Sequence, residues 1–190
     1  MFRSRHLRFL IGISLAVILV IVLFALIVFQ PSGPKAKIPL PMASYAGNSS
    51  AQVAMLIDGP VNAVSLHNQV QVVVSNSATT FNIFSGYDDN LVSTHSYPMS
   101  VASFHVFLRS LEYANFNSGS NNPALSQASG YCPTGDRYIF SFDVNNSQVE
   151  RYWATNCGGT HTYDGNLNLT LTLFEAQVPN FQEMTNSLNL

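Results

Sequence analysis

The sequence has 190 residues, long enough for one domain of about 140 residues after an apolar N-terminal run. Charged residues make up only 9% of the chain. From Ala51 onward three arginines stand against ten acidic residues, a net charge of −7, and no lysine follows Lys37. This balance argues against a nucleic-acid-binding protein, which needs a basic surface. Aromatic residues make up 12% of the chain, which argues against disorder.

Phe9–Phe29 contains 21 consecutive residues without a charge, and a helix of this length covers roughly the 30 Å of a bilayer core. We therefore predict a single-pass signal anchor at residues 9–29. The alternative is a cleaved signal peptide with residues 44–46 as its cleavage site. The basic residues flanking the run are Arg3, Arg5 and Arg8 before it, and Lys35 and Lys37 after it. Their distribution predicts that residues 1–8 are cytoplasmic and that the C-terminal domain is extracytoplasmic. The short N-terminus and the plain anchor favour a bacterial cell membrane.

Residues 30–50 contain four prolines and predict an extended linker that holds a domain, residues 51–190, away from the membrane. The first half of this domain has the pattern of β-strands separated by turn residues. The predicted strands are Ala51–Asp58, Val61–Ser75 with a bend at Asn68-Gln69, Thr80–Tyr87 and Leu91–Tyr97.

The pattern changes to a helical period after Ser100, which can cap a helix that runs to about Ala114. Its predicted apolar stripe is Val101, Phe104, Phe107, Leu108 and Leu111. The polar segment Asn115–Gly130 predicts a long surface loop. Because loops of this length often carry function, it is a candidate contact region.

The clearest hairpin joins Tyr138–Val144 to Ser147–Asn156 through an Asn145-Asn146 turn. A continuous register pairs Phe142 with Val149, Phe140 with Arg151 and Tyr138 with Trp153. Leu167–Leu173 fits either a strand or a helix, and we predict a helix capped by Asn166. The expected fold class is α+β, a mostly antiparallel sheet with one or two packed helices.

The two cysteines, Cys132 and Cys157, lie at the base of this hairpin and predict a disulfide, which an oxidising compartment favours. The alternative is a metal site formed by both cysteines and His161, which lacks a fourth convincing ligand. No cofactor motif is present in the sequence, and we predict no cofactor and no metal. The best acid/base candidate is His161 with Asp164, and only their closeness in the sequence recommends this pair. An envelope hydrolase is therefore the least favoured function.

Several short motifs resemble those of uncharacterised single-pass membrane-anchored proteins of small-genome bacteria. They are Cys-Pro-x-Gly-x-Arg-Tyr at residues 132–138, Arg-x-Trp-x-x-x-Cys-Gly at 151–158 and Leu-Phe-x-x-Gln-Val-Pro at 173–179. The order of anchor, linker, sheet and helix is also similar. This resemblance implies a membrane-anchored domain and a helix after Asn166, but no particular activity.

The sequence also resembles, more faintly, the subtilisin-inhibitor-like proteins, which share a helix, a Cys-Pro loop, two strands and a second cysteine. That resemblance implies that Thr134, which follows Cys132-Pro133, would enter a protease's specificity pocket.

We predict a membrane-anchored, non-catalytic binding module whose partner is an envelope protein or a surface polymer. The predicted contact loop is Thr134, Gly135, Asp136 and Arg137, together with the Asn115–Gly130 segment. Protease inhibition through the Cys132–Arg137 loop is the alternative function.

Overall fold

Six strands between Gln52 and Thr155 pair into one antiparallel sheet. The structure is a computed structural model and describes residues 40–190. The strands are β1 (Gln52–Asp58), β2 (Asn68–Ser75), β3 (Ala78–Ser85), β4 (Asn90–Pro98), β5 (Arg137–Val144) and β6 (Ser147–Thr155), in the order β4-β3-β2-β1-β5-β6. The helices are α1 (Val101–Tyr113), α2 (Leu167–Glu175) and α3 (Phe181–Thr185). The predicted α+β class is confirmed, with one helix more than expected.

The core lies on one face of the sheet, which we call the inner face. Alternate residues of β1 and β2 face it because side chains of a strand alternate between the two faces. They are Val53, Met55 and Ile57 on β1, and Val70, Val72 and Val74 on β2, all buried. Phe116, Phe140 and Phe174 join the sheet to α2, with the Phe116 ring centre 5.9 Å from that of Phe140 and 6.1 Å from that of Phe174.

The local signals for the helix starts and the hairpin turn are confirmed. The Ser100 side chain accepts a hydrogen bond from the Ser103 N–H, and Asn166 caps α2 by accepting one from the Leu169 N–H. Asn145 and Asn146 have φ values of 54° and 58°. Asparagine tolerates this left-handed conformation, which a two-residue hairpin turn requires.

The structured unit begins earlier than predicted. It starts at Leu40 rather than Ala51, because a 3-10 turn at Met42–Tyr45 packs on the core and buries Met42. The Ala43 N–H donates to the Glu112 carboxylate at 3.3 Å, which fixes this turn to α1. Residues 40–50 therefore belong to the domain and not to the predicted linker.

The second predicted strand was too long at its start. Residues 61–67 form a loop, and β2 begins only at Asn68. The apolar residues of the loop, Val61, Val64 and Leu66, are exposed rather than alternating into the core. The prediction of strand from these valines was therefore wrong for residues 61–67.

The predicted β5–β6 register was wrong beyond the second pair from the turn. A bulge places both Gln148 and Val149 before Glu150, which pairs with Phe142. Every later partner is shifted by one residue, so Phe140 pairs with Tyr152 and not with Arg151. The shift turns Tyr152 into the core and Arg151 to the outer face. It also brings Glu150 to the inner face, where its carboxylate accepts a hydrogen bond from the Tyr152 hydroxyl.

No helix within residues 40–190 is long and apolar enough to cross a membrane. The predicted anchor at residues 9–29, the cytoplasmic segment 1–8 and most of the predicted linker lie outside the described residues.

Candidate functional site

Three connecting segments meet at the end of the sheet where β1 finishes and β5 begins. They are residues 59–67 between β1 and β2, 86–89 between β3 and β4, and 132–136 before β5. We call this surface the loop end. The chain enters β1 from the opposite end of the sheet, where residues 42–51 pack.

Backbone and side-chain hydrogen bonds join the three segments into one surface. The Val61 N–H donates to the Pro133 carbonyl at 2.8 Å. The Tyr87 hydroxyl accepts from the Asn62 N–H at 3.0 Å and donates to the Asn62 carbonyl at 2.9 Å. Segments 86–89 and 132–136 are therefore each bonded to segment 59–67. A partner that touches one of the three segments meets a fixed arrangement of all three.

A buried network beneath the loop end connects β1, β5 and the 59–67 loop. Arg137 is only 3% exposed, its Nε donates to Asp58 Oδ2 at 2.8 Å, and its Nη2 donates to the Gly59 carbonyl at 2.7 Å. The other carboxylate oxygen of Asp58 accepts from Gln69 Nε2 at 3.1 Å. A charge-assisted pair of this kind is strongly directional, so it fixes the position where the loop leaves β1.

His67 closes this network from the loop side and is fully buried. Its Nδ1 lies 3.1 Å from the Pro60 carbonyl oxygen, and its Nε2 lies 3.1 Å from Asp58 Oδ1. Its ring stacks on that of Tyr87, with 4.0 Å between the ring centres. Because Nδ1 is held at the Pro60 carbonyl and the ring has no solvent access, His67 braces the loop and is not placed to act as a catalytic base.

The disulfide between Cys132 and Cys157 braces the third segment. Its Cα–Cα distance is 5.7 Å, which confirms the predicted pairing and leaves neither cysteine free to bind a metal.

Asp136 lies beside the disulfide and accepts two side-chain hydrogen bonds. Asn156 Nδ2 donates to Asp136 Oδ2 at 3.0 Å, and the Tyr138 hydroxyl donates to the same oxygen at 3.3 Å. Partial burial raises the pKa of Asp136 above its usual value, although the Tyr138 hydrogen bond opposes this shift. Burial and the nearby Asp136 raise the pKa of Tyr138 to about 12.

The braced loops leave apolar side chains in solvent. Val61, Val64 and Leu66 are 55%, 62% and 58% exposed. Eleven large apolar residues are exposed within residues 40–190, and six of them lie on the loop end or on the first residues of β4 beside it: Val61, Val64, Leu66, Tyr87, Leu91 and Val92. Such a concentration is typical of a contact surface, since isolated exposed apolar residues are common but clusters are not.

The predicted contact residues 134–137 do not share one role. Thr134 is exposed at the tip of the turn, while Gly135 and Asp136 are half-buried. Arg137 is buried in its ion pair with Asp58, so its predicted place on a contact surface was wrong. The buried guanidinium instead supports the loops that form the surface.

The predicted Asn115–Gly130 loop is ordered against the sheet. Trp153 Nε1 donates to the Leu125 carbonyl at 2.7 Å, and Arg151 Nη1 donates to the Ser126 carbonyl at 2.8 Å. The segment passes around β6 and covers Trp153, which is 1% exposed. Its closeness to β6 depends on Gly119, where a Cβ atom would collide with the Tyr152 ring.

The predicted acid/base pair lies in an open position. His161 Nε2 is 3.8 Å from Asp164 Oδ1, and their side chains are 49% and 57% exposed. Solvent therefore reaches both groups, and this position lacks the exclusion of water that strengthens charge interactions in catalytic sites. Within residues 40–190, no three His, Cys, Asp or Glu side chains come together as a metal site.

Val61, Val64 and Leu66 were not predicted as surface residues, because their apolar character suggested a strand. Their spacing of three and two residues is not a strand alternation, and Gly59-Pro60 stands directly before them. Those two signals favour a loop. The chain matches no protein-family model and no curated protein.

Proposed function

We propose that this chain is a membrane-anchored extracytoplasmic binding module that contacts its partner through the loop end. The observation that carries the proposal is the exposure of Val61, Val64 and Leu66 on loops that are fixed from beneath. Exposing three large apolar side chains brings no benefit to folding. Holding them in one arrangement reduces the entropy that binding must overcome.

The charge of the domain narrows the class of partner. Residues 40–190 contain three arginines and ten acidic residues, and Asp88 and Asp89 lie beside the exposed apolar residues. An anionic polymer or an anionic lipid surface would be repelled by this distribution. We therefore propose a protein partner at the cell envelope, with an apolar contact area that is neutral or basic at its rim.

The proposed module is non-catalytic, and the geometry of the loop end supports this. Its titratable groups, the half-buried Asp58 and the buried Arg137 and His67, face one another and backbone carbonyls. None of them is presented to a site where a substrate atom could approach. Their arrangement serves to position backbone rather than to transfer protons.

Co-precipitation from an envelope extract of the source cell tests the proposal. The bait is residues 40–190, produced in an oxidising compartment so that the disulfide forms. We expect a saturable protein partner that is lost when Val61, Val64 and Leu66 are all replaced by serine. The matched control replaces three exposed valines outside the loop end, Val101, Val106 and Val149, which are 51%, 63% and 45% exposed. Equal loss of the partner with both triple variants would contradict the loop end as the contact surface.

Protease inhibition through the Cys132–Arg137 loop is a weaker proposal on geometric grounds. The Gly135 N–H donates to the Cys132 carbonyl at 3.3 Å, which closes a tight turn at the tip. A peptide segment that binds by adding a strand to the edge of a partner's sheet must be extended, and a tight turn is not. A protease recovered as the partner, with a loss of inhibition on Thr134→Ala, would restore this alternative.

A further inference from the structure

The two edges of the sheet differ in how far other segments within residues 40–190 cover them. At the β6 edge, the N–H groups of Thr162 and Tyr163 donate to the Trp153 carbonyl at 2.9 and 3.0 Å. The Ser120 N–H then donates to the Thr162 carbonyl at 2.8 Å, and Gly119 forms a bridge with Tyr163. Two chain segments therefore cover this edge at Trp153, where they use a carbonyl group that an edge strand leaves free.

The β4 edge has no such cover within residues 40–190. β4 pairs only with β3, and its backbone makes no hydrogen bond to any other described element. Thr94, His95 and Ser96 are exposed in the middle of the strand. An edge of this kind presents a row of free N–H and C=O groups to solvent.

The usual protection against strand pairing is also limited at β4. Its nine residues include no lysine, arginine, aspartate or glutamate. A bulge at Val92, between the pairs Phe84–Leu91 and Ile83–Ser93, interrupts the start of the strand, and Pro98 ends it. The regular stretch Ser93–Tyr97 between these two features is open to a partner strand.

We propose that β4 pairs antiparallel with β4 of a second copy of this chain, which joins the two sheets across a two-fold axis. Antiparallel pairing is the arrangement that two-fold symmetry allows for identical strands. Within residues 40–190 the β6 edge is covered at Trp153 and is interrupted by the bulge at Val149 and by the charged residues Glu150 and Arg151. Two-fold pairing at β4 therefore gives a closed dimer and not a fibre. The absence of charge on β4 matters here, because each unit carries −7 overall and like charges directly opposite in a ladder are destabilising.

This surface is separate from the loop end, so the dimer does not depend on the proposed function. The regular stretch of β4 is centred on His95, so Ser96 of one copy lies diagonal to Ser96 of the other on the outer face. Ser96 is exposed and makes no side-chain hydrogen bond within residues 40–190. A charge at this position changes the pairing surface while leaving the core contacts of Tyr97 in place.

The test uses the full chain in a density-matched mild detergent, with the dimer constant measured by sedimentation equilibrium. We expect a dimer for the unaltered chain, and a dissociation constant raised about fivefold or more for both Ser96→Lys and Ser96→Glu, because each places like charges at diagonal positions across the new strand pair. An equimolar mixture of the two variants, carrying different tags, should recover the pairing as a heterodimer.

The control is Ser129→Lys, an exposed serine in the segment that covers the β6 side. It adds the same charge and should leave the dimer constant unchanged, and thermal unfolding should show that all variants fold. A monomeric unaltered chain would overturn the proposal, as would a dimer that Ser96→Lys does not weaken, since the latter would place the contact elsewhere. Loss of a different protein on Ser96→Lys, with the unaltered chain monomeric, would assign the edge to a partner's strand and would also overturn it.

Discussion

The Asp58–Arg137 pair sets the position of two strands and one loop from a single buried contact. Arg137 is 3% exposed, so loss of its carboxylate partner leaves a buried charge without compensation. We expect Asp58→Ala to lower the free energy of unfolding by about 3 kcal/mol or more, measured by urea denaturation of residues 40–190.

The double variant Asp58→Leu with Arg137→Met is the control for this prediction. It removes both charges together, and a buried ion pair replaced by apolar residues is often neutral in stability. We expect it to be more stable than Asp58→Ala alone. A double variant that is equally unstable would show that the two residues stabilise the fold through contacts other than their ion pair.

Asp136 gives a prediction about pH. Burial raises its folded-state pKa above the ordinary 3.8, so folding favours the protonated form. The stabilising contribution is complete below the unfolded-state value, and it is lost as the pH rises through the raised folded-state value. Because the side chain is partly open to solvent, screening keeps the effect well below about 1 kcal/mol.

Asp136→Asn removes this ionisation while keeping an oxygen that can accept from Asn156 and Tyr138. Its new amide group takes the place of Oδ1, which is buried and has no hydrogen-bond partner within the described residues. A neutral group without a partner costs less free energy there than an ionised oxygen without one. We expect a Tm about 1–2 °C above that of the unaltered domain at pH 7, and no gain below pH 4. A gain that persists at pH 3.5 would contradict the assigned cause.

At the residue scale, the sequence allowed prediction of the disulfide but not of the Arg137 environment. A pair of cysteines in a domain that the sequence predicts to be extracytoplasmic has few alternatives to a disulfide. The partner of Arg137, in contrast, is 79 residues away in sequence. Nothing near Arg137 in the chain distinguishes a buried arginine from an exposed one, and the usual expectation for arginine is exposure.

At the element scale, signals that act within a few residues were sufficient to predict the helix starts and the hairpin turn. Ser100 and Asn166 cap their helices because a short polar side chain reaches the N–H group three residues ahead. Asn145-Asn146 forms its turn for a similarly local reason. These features are properties of short peptides, so the rest of the fold was not needed to predict them.

The β5–β6 register could not be predicted from the same local signals. A continuous ladder from the turn gave a regular hairpin, but it directed Arg151 towards the core. The bulge resolves this conflict by letting Val149, 45% exposed, stand outside the pairing. A conflict between register and burial was therefore visible in the sequence, although its position along the strand was not.

Deletion of Val149 tests this interpretation of the hairpin. With the extra residue gone, Gln148 and Glu150 become neighbours and can keep their partners Asp143 and Phe142 in a regular ladder. We expect the variant to fold, with a change in the free energy of unfolding within about 1 kcal/mol. The fluorescence of Trp153, the single tryptophan, should keep the emission maximum of a buried indole.

Deletion of Ser141 is the contrasting variant. It lies in the regular part of β5, between β1 and β6, and its loss moves half of a central strand to the wrong face. We expect this variant not to fold. A shift of the Trp153 emission to longer wavelength in the Val149 deletion would mean that the residue has a structural role beyond the bulge.

At the scale of the whole molecule, the class of fold was predictable and the arrangement was not. Strand alternation followed by a helical period indicates α+β, whichever strands are neighbours. The central position of β1, between β2 and β5, depends on contacts between residues far apart in sequence. The path of the Asn115–Gly130 segment around β6 likewise depends on Trp153 and Gly119 meeting their partners across the fold.

The disulfide connects the stability of the whole unit with the order of the loop end. Cys132 and Cys157 are 25 residues apart, and closing a loop of this length restricts the unfolded chain by about 3–4 kcal/mol in the chain-entropy model. We expect the double variant Cys132→Ala/Cys157→Ala to lose about this much free energy of unfolding in urea. It should still fold, because the apolar core on the inner face does not include the cysteines.

The same double variant should also loosen the loop end before the whole unit unfolds. The Val61 N–H is bonded to the Pro133 carbonyl, and Pro133 is the neighbour of Cys132. Without the disulfide, this hydrogen bond depends on a less restrained turn. We therefore expect the double variant to accelerate amide hydrogen exchange at Val61, relative to the unaltered chain, by a larger factor than at the β2 residue Val72. Unchanged exchange at Val61 would show that the Asp58–Arg137–His67 network alone holds the surface. The disulfide would then contribute to stability without contributing to the proposed binding.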